Sequence, residues 1–542
     1  MQGFERPDLG LWDVQGLVGH LMPESGMFAF LAAHRGEVFP DAGWADLFAD
    51  FGRPGEPATR MAAIMTLQAL HGFSDRETAE AVRFDLRWKL AAGLALDDPG
   101  IHPASLVAWR RRVARSGRPH RVNDAVRRVI GATGILAGRR RRAVDSAILA
   151  DAVATQDTVT QLIAAMRRVM RQVPGAAGLI AARCTGFGYD RGRRPVIGWS
   201  DPQAAEELVS ALVNDADAVV AALRDARLED GPAAALALLA ATAGQDVGPA
   251  PGSGGTGGRW KIAPKVAGDR IISQVDPESR HARKNWHTRT DGCRAHLAAG
   301  PSTGIITGED LTMACGRGCS DAGAAARFPA AEHEQDERGQ RDGGGPGQDT
   351  GSGPLTWYAD SAYGTGELRA VIAAAGDTAV IKPKTLKPPA VPGGFTTADF
   401  TIDHQAGTVT CPAGLTRAIS PSRIARFGAA CRSCPLRARC TTSKAGRLVN
   451  VHPRDQLLRA ARRDRAEDSA LRKDYRTTRP HVERTVAQVA TSRGRRLKLR
   501  YRGTAKNKAW LKTRTAAVNL ATLLRHDLTR AGRTWTAAPA TG

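Results

Sequence analysis

The chain has 542 residues, of which 42% are hydrophobic, which is enough for about three domains with buried cores. It carries 77 Lys and Arg against 54 Asp and Glu, a net charge of +23 that favours a polyanionic partner, above all nucleic acid. The longest small apolar run, over 232–242, is far shorter than the roughly 20 residues of a membrane span. The first residues lack the pattern of a signal peptide, and eight cysteines in so long a chain argue for a reducing compartment.

A high-GC genome also enriches Arg and would raise the net charge without any polyanionic partner, so the clustering of basic residues decides between the two explanations. The first 137 residues predict an all-α domain. Within it, Ser74 and Glu77 form a capping box, and a helix over 102–115 has an apolar stripe and several basic side chains. This arrangement is typical of a helix-turn-helix-like DNA binder, whereas a solvated Arg face is the alternative. The predicted DNA contacts on this helix are Arg110, Arg111 and Arg112.

Two acids lie in or directly after predicted strands. The segment 143–149 predicts a short strand that carries Asp145. The segment 356–367 predicts a buried strand that delivers Asp360 to a loop, and a helix and a further strand over 378–381 follow. Such a β-α-β unit places Asp360 at a strand end, where open α/β sheets tend to hold their chemistry. An Asp in this place also commonly caps a helix, so the position alone leaves both roles open.

The region between these strands combines helical and strand patterns. Helices are predicted over 158–172 and 203–239, and strands over 270–274, 293–299 and 304–308, of which the last two form a hairpin. A polar, Gly-rich segment over 321–355 and the tail over 531–542 are predicted to be disordered.

Four cysteines with the spacing C-x19-C-x2-C-x5-C follow the second acid. They are Cys411, Cys431, Cys434 and Cys440. Four thiolates at these positions predict a tetrahedral Zn²⁺ site, and reduced structural cysteines are the alternative.

The C-terminal region combines a third acid with a basic tract. Pro480 suits the first turn of a helix, and Glu483 lies at its start. Eleven Lys and Arg and no Asp or Glu occur from residue 484 to 514, which favours DNA contact over a merely solvated basic face. The predicted contacts are Arg493, Arg495, Arg496, Lys498, Arg500 and Arg502.

Asp145, Asp360 and Glu483 form a set suited to phosphodiester chemistry, in which carboxylates hold two Mg²⁺ ions beside the phosphate. At these residues the chain resembles the DDE transposases of bacterial insertion sequences, in particular the insertion-sequence eleven-eighty-two group, which is related to the four and five groups. The motifs that carry the resemblance are Val144-Asp145-Ser146, Tyr358-Ala-Asp360-Ser-Ala-Tyr-Gly364, Cys431-Arg-Ser-Cys434-Pro, Arg479-Pro-His-Val-Glu483 and Arg500-Tyr-Arg-Gly503.

The resemblance implies an α/β fold in which an RNase H-like catalytic domain, a mixed sheet with flanking helices, accompanies the all-α N-terminal domain and a small cysteine-containing insertion. It implies that Asp145, Asp360 and Glu483 bind the metal and that Arg479 contacts DNA at the transposon end. Two positions depart from the related pattern, because Tyr475 stands one residue further from Arg479 and Ala490 replaces a Lys. The implied domains are 1–137 (DNA binding), 138–320 and 356–400 (catalytic), 321–355 (disordered), 401–455 (cysteine-containing), 456–530 (Glu helix, basic tract and last helix) and 531–542 (tail).

These features predict a DNA transposase of the bacterial cytoplasm, associated with the nucleoid, that uses Mg²⁺ or Mn²⁺. Its expected partners are the transposon ends, target DNA and further copies of the chain in a synaptic complex, and no membrane. A non-catalytic DNA-binding repressor derived from a transposase is one alternative, since it would keep the basic tracts without the metal. A hydrolytic nuclease with the same acids is another, since it would cut DNA without joining strands.

Overall fold

The computed structural model describes residues 1–5, 12–190, 192, 195–251, 258–264, 267–283, 289–341 and 353–538. In these ranges the chain is a mixed α/β protein with one six-stranded sheet, one three-stranded sheet, four two-stranded sheets and many helices. None of the helices in these ranges combines the length and the apolar character that a membrane crossing requires.

The N-terminal region is helical, as predicted. The capping box forms, because the Ser74 hydroxyl accepts from the Glu77 N–H at 3.2 Å and the Glu77 carboxylate accepts from the Ser74 N–H at 2.6 Å. Gly72 ends the preceding helix in the left-handed conformation with φ 69°, which glycine adopts without strain. The helices of this unit are α1 Val14–Val18, α2 Met27–Val38, α3 Ala58–His71, α4 Asp75–Phe84, α5 Leu86–Ala92, α6 Pro103–Arg115 and α7 Arg121–Thr133.

A long strand and a helical insertion follow. The strand is β1 Arg141–Ala150, and the insertion comprises α8 Thr158–Gln172, α9 Ala176–Arg183, α10 Pro202–Ala222, α11 Asp230–Gln245, β2 Val247–Pro249 and β3 Trp260–Ile262. Apolar side chains of the four helices form a core of their own, with Leu162, Leu212 and Leu239 fully buried. The insertion therefore has an independent hydrophobic centre beside the main sheet.

The central sheet has the strand order β4-β5-β1-β7-β8, and β6 also pairs with β5. The strands are β4 Arg280–Arg283, β5 Arg289–Ala299, β6 Ile306–Met313, β7 Thr356–Ala359 and β8 Thr378–Ile381, and the helices among them are α12 Asp321–Ala325, α13 Phe328–Arg341 and α14 Gly366–Ala374. Strands β4, β5, β6 and β1 pair antiparallel, whereas β1, β7 and β8 run parallel. The predicted hairpin and the predicted β-α-β unit are both present.

The cysteine-containing region is a small β unit. Its elements are β9 Thr401–Asp403, β10 Thr408–Thr410, β11 Thr416–Ala418, β12 Ile424–Arg426, α15 Arg437–Cys440 and β13 Leu448–Asn450. Strands β9, β10 and β11 form one antiparallel sheet and β12 and β13 another, and the two share a core that includes Phe400, Val409 and Phe427.

The C-terminal region returns to the sheet and then to the N-terminal helices. Its elements are α16 Asp455–Glu467, α17 Ser469–Thr478, α18 Pro480–Ala490, β14 Thr491–Ser492, β15 Arg495–Arg496, α19 Thr504–Arg525, β16 Thr529–Ala531 and β17 Thr534–Thr536. Helix α18 packs Val482, Val486 and Val489 against the sheet. Helix α19 contributes Leu511 and Val518 to the same core and buries Ala516, Leu520 and Leu523 among α2, α3 and α7.

Three expectations for local structure were wrong. The segment 321–341, predicted to be disordered, forms α12 and α13, because Ala322, Ala325 and Phe328 pack against the sheet; residues 342–352 of this segment lie outside the described ranges. The predicted tail forms β17, whose Trp535 is buried among N-terminal helices, although residues 539–542 are outside the description. The segment 270–274 forms no strand, only a single bridge between Ile271 and Arg280.

Candidate active site

Three separate elements bring the three predicted acids together. Asp145 lies in the middle of β1, and Asp360 directly follows β7, which is the parallel neighbour of β1. Glu483 lies in the first turn of α18, the helix that packs against β1. Asp360 also caps the short helical turn after it, since its carboxylate accepts from the Ala362 N–H at 2.8 Å. The two roles that the sequence left open for Asp360 are therefore compatible.

The guanidinium of Arg479 lies between these acids and contacts all three. Its Nη2 is 3.0 Å from an Asp145 carboxylate oxygen and 3.9 Å from one of Asp360, while its Nη1 donates to Glu483. Arg479 is the residue between α17 and α18, so the helix that carries Glu483 also positions the arginine. The sequence predicted the acids and the arginine separately, and the structure joins them in one cluster.

The cluster becomes more exposed from the sheet outward. The side-chain exposure is 18% for Asp145, 43% for Asp360 and 62% for Glu483. Burial is the largest influence on Asp145 and raises the pKa of its carboxyl above the ordinary value, with smaller contributions from Asp360 and Glu483. Arg479 and the Ser146 N–H, which donates at 2.8 Å, oppose this pKa shift by favouring the carboxylate. The cluster thus has a buried floor and an open side at Glu483.

The donor set suits a divalent cation. Three carboxylates supply the hard oxygen ligands that Mg²⁺ and Mn²⁺ prefer, and all three are directed at one cationic group. Within the described ranges no group of three or more His, Cys, Asp or Glu is already arranged to hold a metal ion. In this structure the guanidinium of Arg479 forms ion pairs with all three carboxylates and so balances part of their charge.

Two family models match the chain. Residues 410–524 match a transposase DDE domain, and residues 35–112 match a transposase domain of the DUF772 family. The matches support a bacterial insertion-sequence transposase. The first range contains Arg479 and Glu483, whereas Asp145 and Asp360 lie outside both ranges. No curated protein and no solved structure matches the chain.

A second polar group lies beside Asp145 at the buried floor of the cluster, and the sequence did not predict it. The Ser146 hydroxyl donates to Asp321 at 2.7 Å, and Arg294 donates to the other Asp321 oxygen at 2.6 Å. Asp321 belongs to the segment that was expected to be disordered, and His296, fully buried, lies 3.5 Å from it. Only the Ser next to Asp145 could have indicated this group, because its other members come from β5 and α12.

The predicted DNA contacts on α6 differ in their surroundings. Arg110 is engaged inside the protein: it pairs with Asp75 at 2.5 Å, donates to Gln68 and lies 5.4 Å from the Tyr501 ring centre. Arg111 and Arg112 are exposed. Arg110 therefore connects α6 to the basic tract, whereas Arg111 and Arg112 present their charges to the solvent.

The predicted basic tract lies against the N-terminal helices. Arg493 stands 5.0 Å from the Phe73 ring centre, and Arg500 donates to the Gly72 carbonyl at 2.5 Å. All six predicted contacts in this tract are exposed residues: Arg493, Arg495, Arg496, Lys498, Arg500 and Arg502. The two basic regions that the sequence placed in different domains are thus neighbours in space.

The four predicted zinc ligands line one cavity of about 290 Å³. They are Cys411, Cys431, Cys434 and Cys440. Burial raises the pKa of the Cys440 thiol above its ordinary value, Arg447 lowers it, and the other three thiols raise it further, so the four sulfurs share one electrostatic environment. All eight cysteines of the chain are free of disulfide bonds. The four cysteines lie around the same cavity, but among the described residues their side chains are not arranged to hold a metal ion.

Proposed function

We propose that the protein is a DNA transposase that binds the terminal inverted repeats of its own element, cleaves DNA at these ends and joins the freed 3′-hydroxyls to target DNA. The observation that carries the proposal is the convergence of Asp145, Asp360 and Glu483 on one guanidinium, which gathers three distant acids from a sheet and its covering helix. The strand order around β1 is compatible with an RNase H-like catalytic domain.

Asp145, Asp360 and Glu483 would hold the Mg²⁺ or Mn²⁺ ions. When bound, such ions supply Lewis-acid activation of the attacking oxygen and charge stabilisation at the leaving 3′-oxygen. The chain itself fixes the acids. Strand β1 carries Asp145, Asp360 directly follows the parallel strand β7, and the apolar face of α18 packs against the sheet and fixes Glu483. Pre-formed positions of this kind lower the reorganisation that the reaction requires.

The basic surfaces suit the DNA backbone. Arg111 and Arg112 on α6 and the exposed residues of the basic tract present positive charge without base-specific geometry, which favours phosphate contact and strongly salt-dependent binding. We assign the transposon ends and target DNA to these surfaces, with further copies of the chain in the synaptic complex and the bacterial nucleoid as the place of action.

The test is DNA cleavage by an Asp360→Asn variant. The substrate is a duplex taken from the DNA that flanks the gene, chosen for a pair of short inverted repeats. The variant should lose Mg²⁺-dependent cleavage, because one carboxylate charge is removed, while it retains DNA binding in a gel-shift assay. The matched control is Asp225→Asn, which makes the same change at an exposed position of the helical insertion.

The outcomes separate the competing functions. Retained cleavage by Asp360→Asn would remove this residue from the site. Binding without any Mg²⁺-dependent cleavage by the parent protein would leave a DNA-binding repressor. Cleavage without a strand-transfer product would leave a hydrolytic nuclease.

We further propose that the four cysteines of the β unit bind one Zn²⁺ ion, since tetrahedral thiolate sites are typical of zinc and all four cysteines line one cavity. Purified protein should contain about one equivalent of zinc, and a Cys431→Ser, Cys434→Ser double variant should lose it. The matched control is Cys315→Ser, Cys319→Ser, which removes two thiols elsewhere. Metal content near zero in the parent protein would end the proposal.

A further inference from the structure

The position of Arg479 raises the question of what its guanidinium does when DNA and metal ions arrive. We propose that Arg479 is an internal cation that occupies the acid cluster in the absence of DNA and transfers to a DNA phosphate when the substrate binds, so that DNA and metal ions favour each other's binding. This inference rests on the proposed function and adds a regulation of the same site.

The contacts of Arg479 compete directly with metal binding. Its Nη2 lies 3.0 Å from Asp145, and its Nη1 donates to Glu483, so the guanidinium and a metal ion would need the same side of these two carboxylates. The side chain is only 10% exposed, so water screens these contacts weakly. A divalent ion must therefore displace the guanidinium or bind against its positive charge.

The guanidinium is held in the cluster but is not fully satisfied there. Its Nε is buried and has no hydrogen-bond partner. A buried unpaired donor costs about 1–3 kcal/mol, so an arrangement that satisfies every donor is favoured when an acceptor becomes accessible. A phosphodiester has charged oxygens that accept parallel hydrogen bonds from an arginine fork.

DNA supplies this acceptor at the required place. A phosphate that reacts with metal-activated oxygen must come close to the acids, and it is then the nearest new anion to Arg479. Glu483, at 62% exposure, marks the open side by which phosphate and metal ions can reach the cluster. Movement of the Arg479 side chain toward that phosphate frees the carboxylates and removes a positive charge from the metal positions. By linkage, DNA must then raise metal affinity by the same factor by which metal raises DNA affinity.

The experiment measures Mn²⁺ binding to the full chain by electron paramagnetic resonance, with and without duplex DNA from the flanking repeats. In the absence of DNA, Arg479→Gln should bind Mn²⁺ roughly tenfold more tightly than the parent, within the usual range of coupling between sites. DNA should tighten Mn²⁺ binding by the parent and have little effect on the variant. Arg476→Gln, which removes an exposed arginine from the preceding helix, should behave as the parent does.

Three results would overturn the inference: equal Mn²⁺ affinity of the parent and Arg479→Gln without DNA, an equal effect of DNA on both, or a similar gain in Arg476→Gln. If Arg479→Gln does not fold, Arg479→Lys replaces it, and its loss of the planar fork should give an intermediate Mn²⁺ affinity. Failure of the proposed function would give a different result from failure of this inference. In that case neither the parent nor Arg479→Gln binds Mn²⁺, and Asp360→Asn does not change DNA cleavage.

Discussion

At the scale of single residues, burial sets the charge of His71 where the N-terminal helices meet the basic tract. Its ring lies 5.6 Å from Phe28 and 5.7 Å from Trp88, centre to centre. Burial, with smaller contributions from the nearby Arg493 and Arg87, lowers the pKa of His71 to about 4. The folded protein therefore keeps this imidazole neutral at pH values at which the unfolded chain, with an ordinary pKa near 6.5, is already protonated.

The first prediction concerns the acid side of the stability profile. Because the unfolded chain binds a proton that the folded chain excludes, stability should fall as pH decreases from about 6.5 to about 4. His71→Phe keeps an aromatic ring and removes the titration. Over this pH range its free energy of unfolding should therefore fall by on the order of 2 kcal/mol less than that of the parent. Urea unfolding at pH 7 and pH 5 measures the difference. Equal pH dependence in His71→Phe, or the same improvement in the exposed His20→Gln control, would contradict it.

The residues of the site could be predicted from the sequence better than their contacts. Strand and helix patterns placed Asp145, Asp360 and Glu483 on three elements, because an acid at a strand end or in a first helical turn is a local feature. The contact of Arg479 with all three acids depends on how α17 and α18 meet the sheet, which no local pattern contains. For the same reason the pairing of Arg110 with Asp75 was missed, since a basic helix face gives no sign of its partners.

At the scale of elements, the ends of two helices meet around one buried arginine. Arg514 of α19 is 2% exposed, and burial lowers its pKa to about 10, so it is still a cation at neutral pH. Helix C-termini carry unpaired carbonyls and partial negative charge, which a buried guanidinium satisfies. The Arg514 guanidinium donates to five carbonyls at the end of α3, at the end of α18 and just after α18. These are the carbonyls of Ala69, Leu70, Gln488, Val489 and Thr491.

The second prediction follows from this junction. Arg514→Met keeps the length of the side chain but leaves five carbonyls without their donor, so it should lower the free energy of unfolding by about 3 kcal/mol. Urea unfolding at neutral pH measures the loss. Lys506→Met removes an exposed cation from the same helix and should change stability by less than about 0.5 kcal/mol. Similar effects of the two variants would show that the Arg514 contacts contribute little.

Elements with strong local signals were predicted well, and those that depend on distant partners were not. The helix over 158–172 and the strands around the acids have the predicted positions because periodicity and capping are local. The helix α13 has mostly polar residues and is stabilised by Phe328 in the sheet core and by the buried ion pair of Glu332 with Arg142. Hairpin β16–β17 likewise depends on Trp535, whose neighbours Phe30 and His34 come from the other end of the chain.

At the scale of the whole molecule, the two ends of the chain share one hydrophobic core. Ala516, Leu520 and Leu523 of α19 are buried in the same cluster as the apolar residues of α2, α3 and α7. The Asn519 side chain also joins this helix to the sheet, since it accepts from the Ile306 N–H and donates to the Ile306 carbonyl, each at 2.8 Å. The N-terminal helices, α19 and the sheet are therefore packed as one unit, which explains why the two basic regions are neighbours in space.

The third prediction is that neither side of residue 137 folds alone. A fragment of residues 1–137 lacks α19, and a fragment of residues 138–542 exposes the apolar face of α19, so each should be largely insoluble or show no cooperative unfolding. When the two fragments are produced together they should copurify and regain cooperative unfolding, because the core closes across the cut. Circular dichroism during heating, with the uncut chain as the reference, measures this. The prediction is contradicted if the fragment of residues 138–542 unfolds cooperatively at the melting temperature of the uncut chain, because the catalytic region would then not need the shared core. In that case the Leu520→Asp variant of the uncut chain, which places a charge in this core, should also leave the sheet intact.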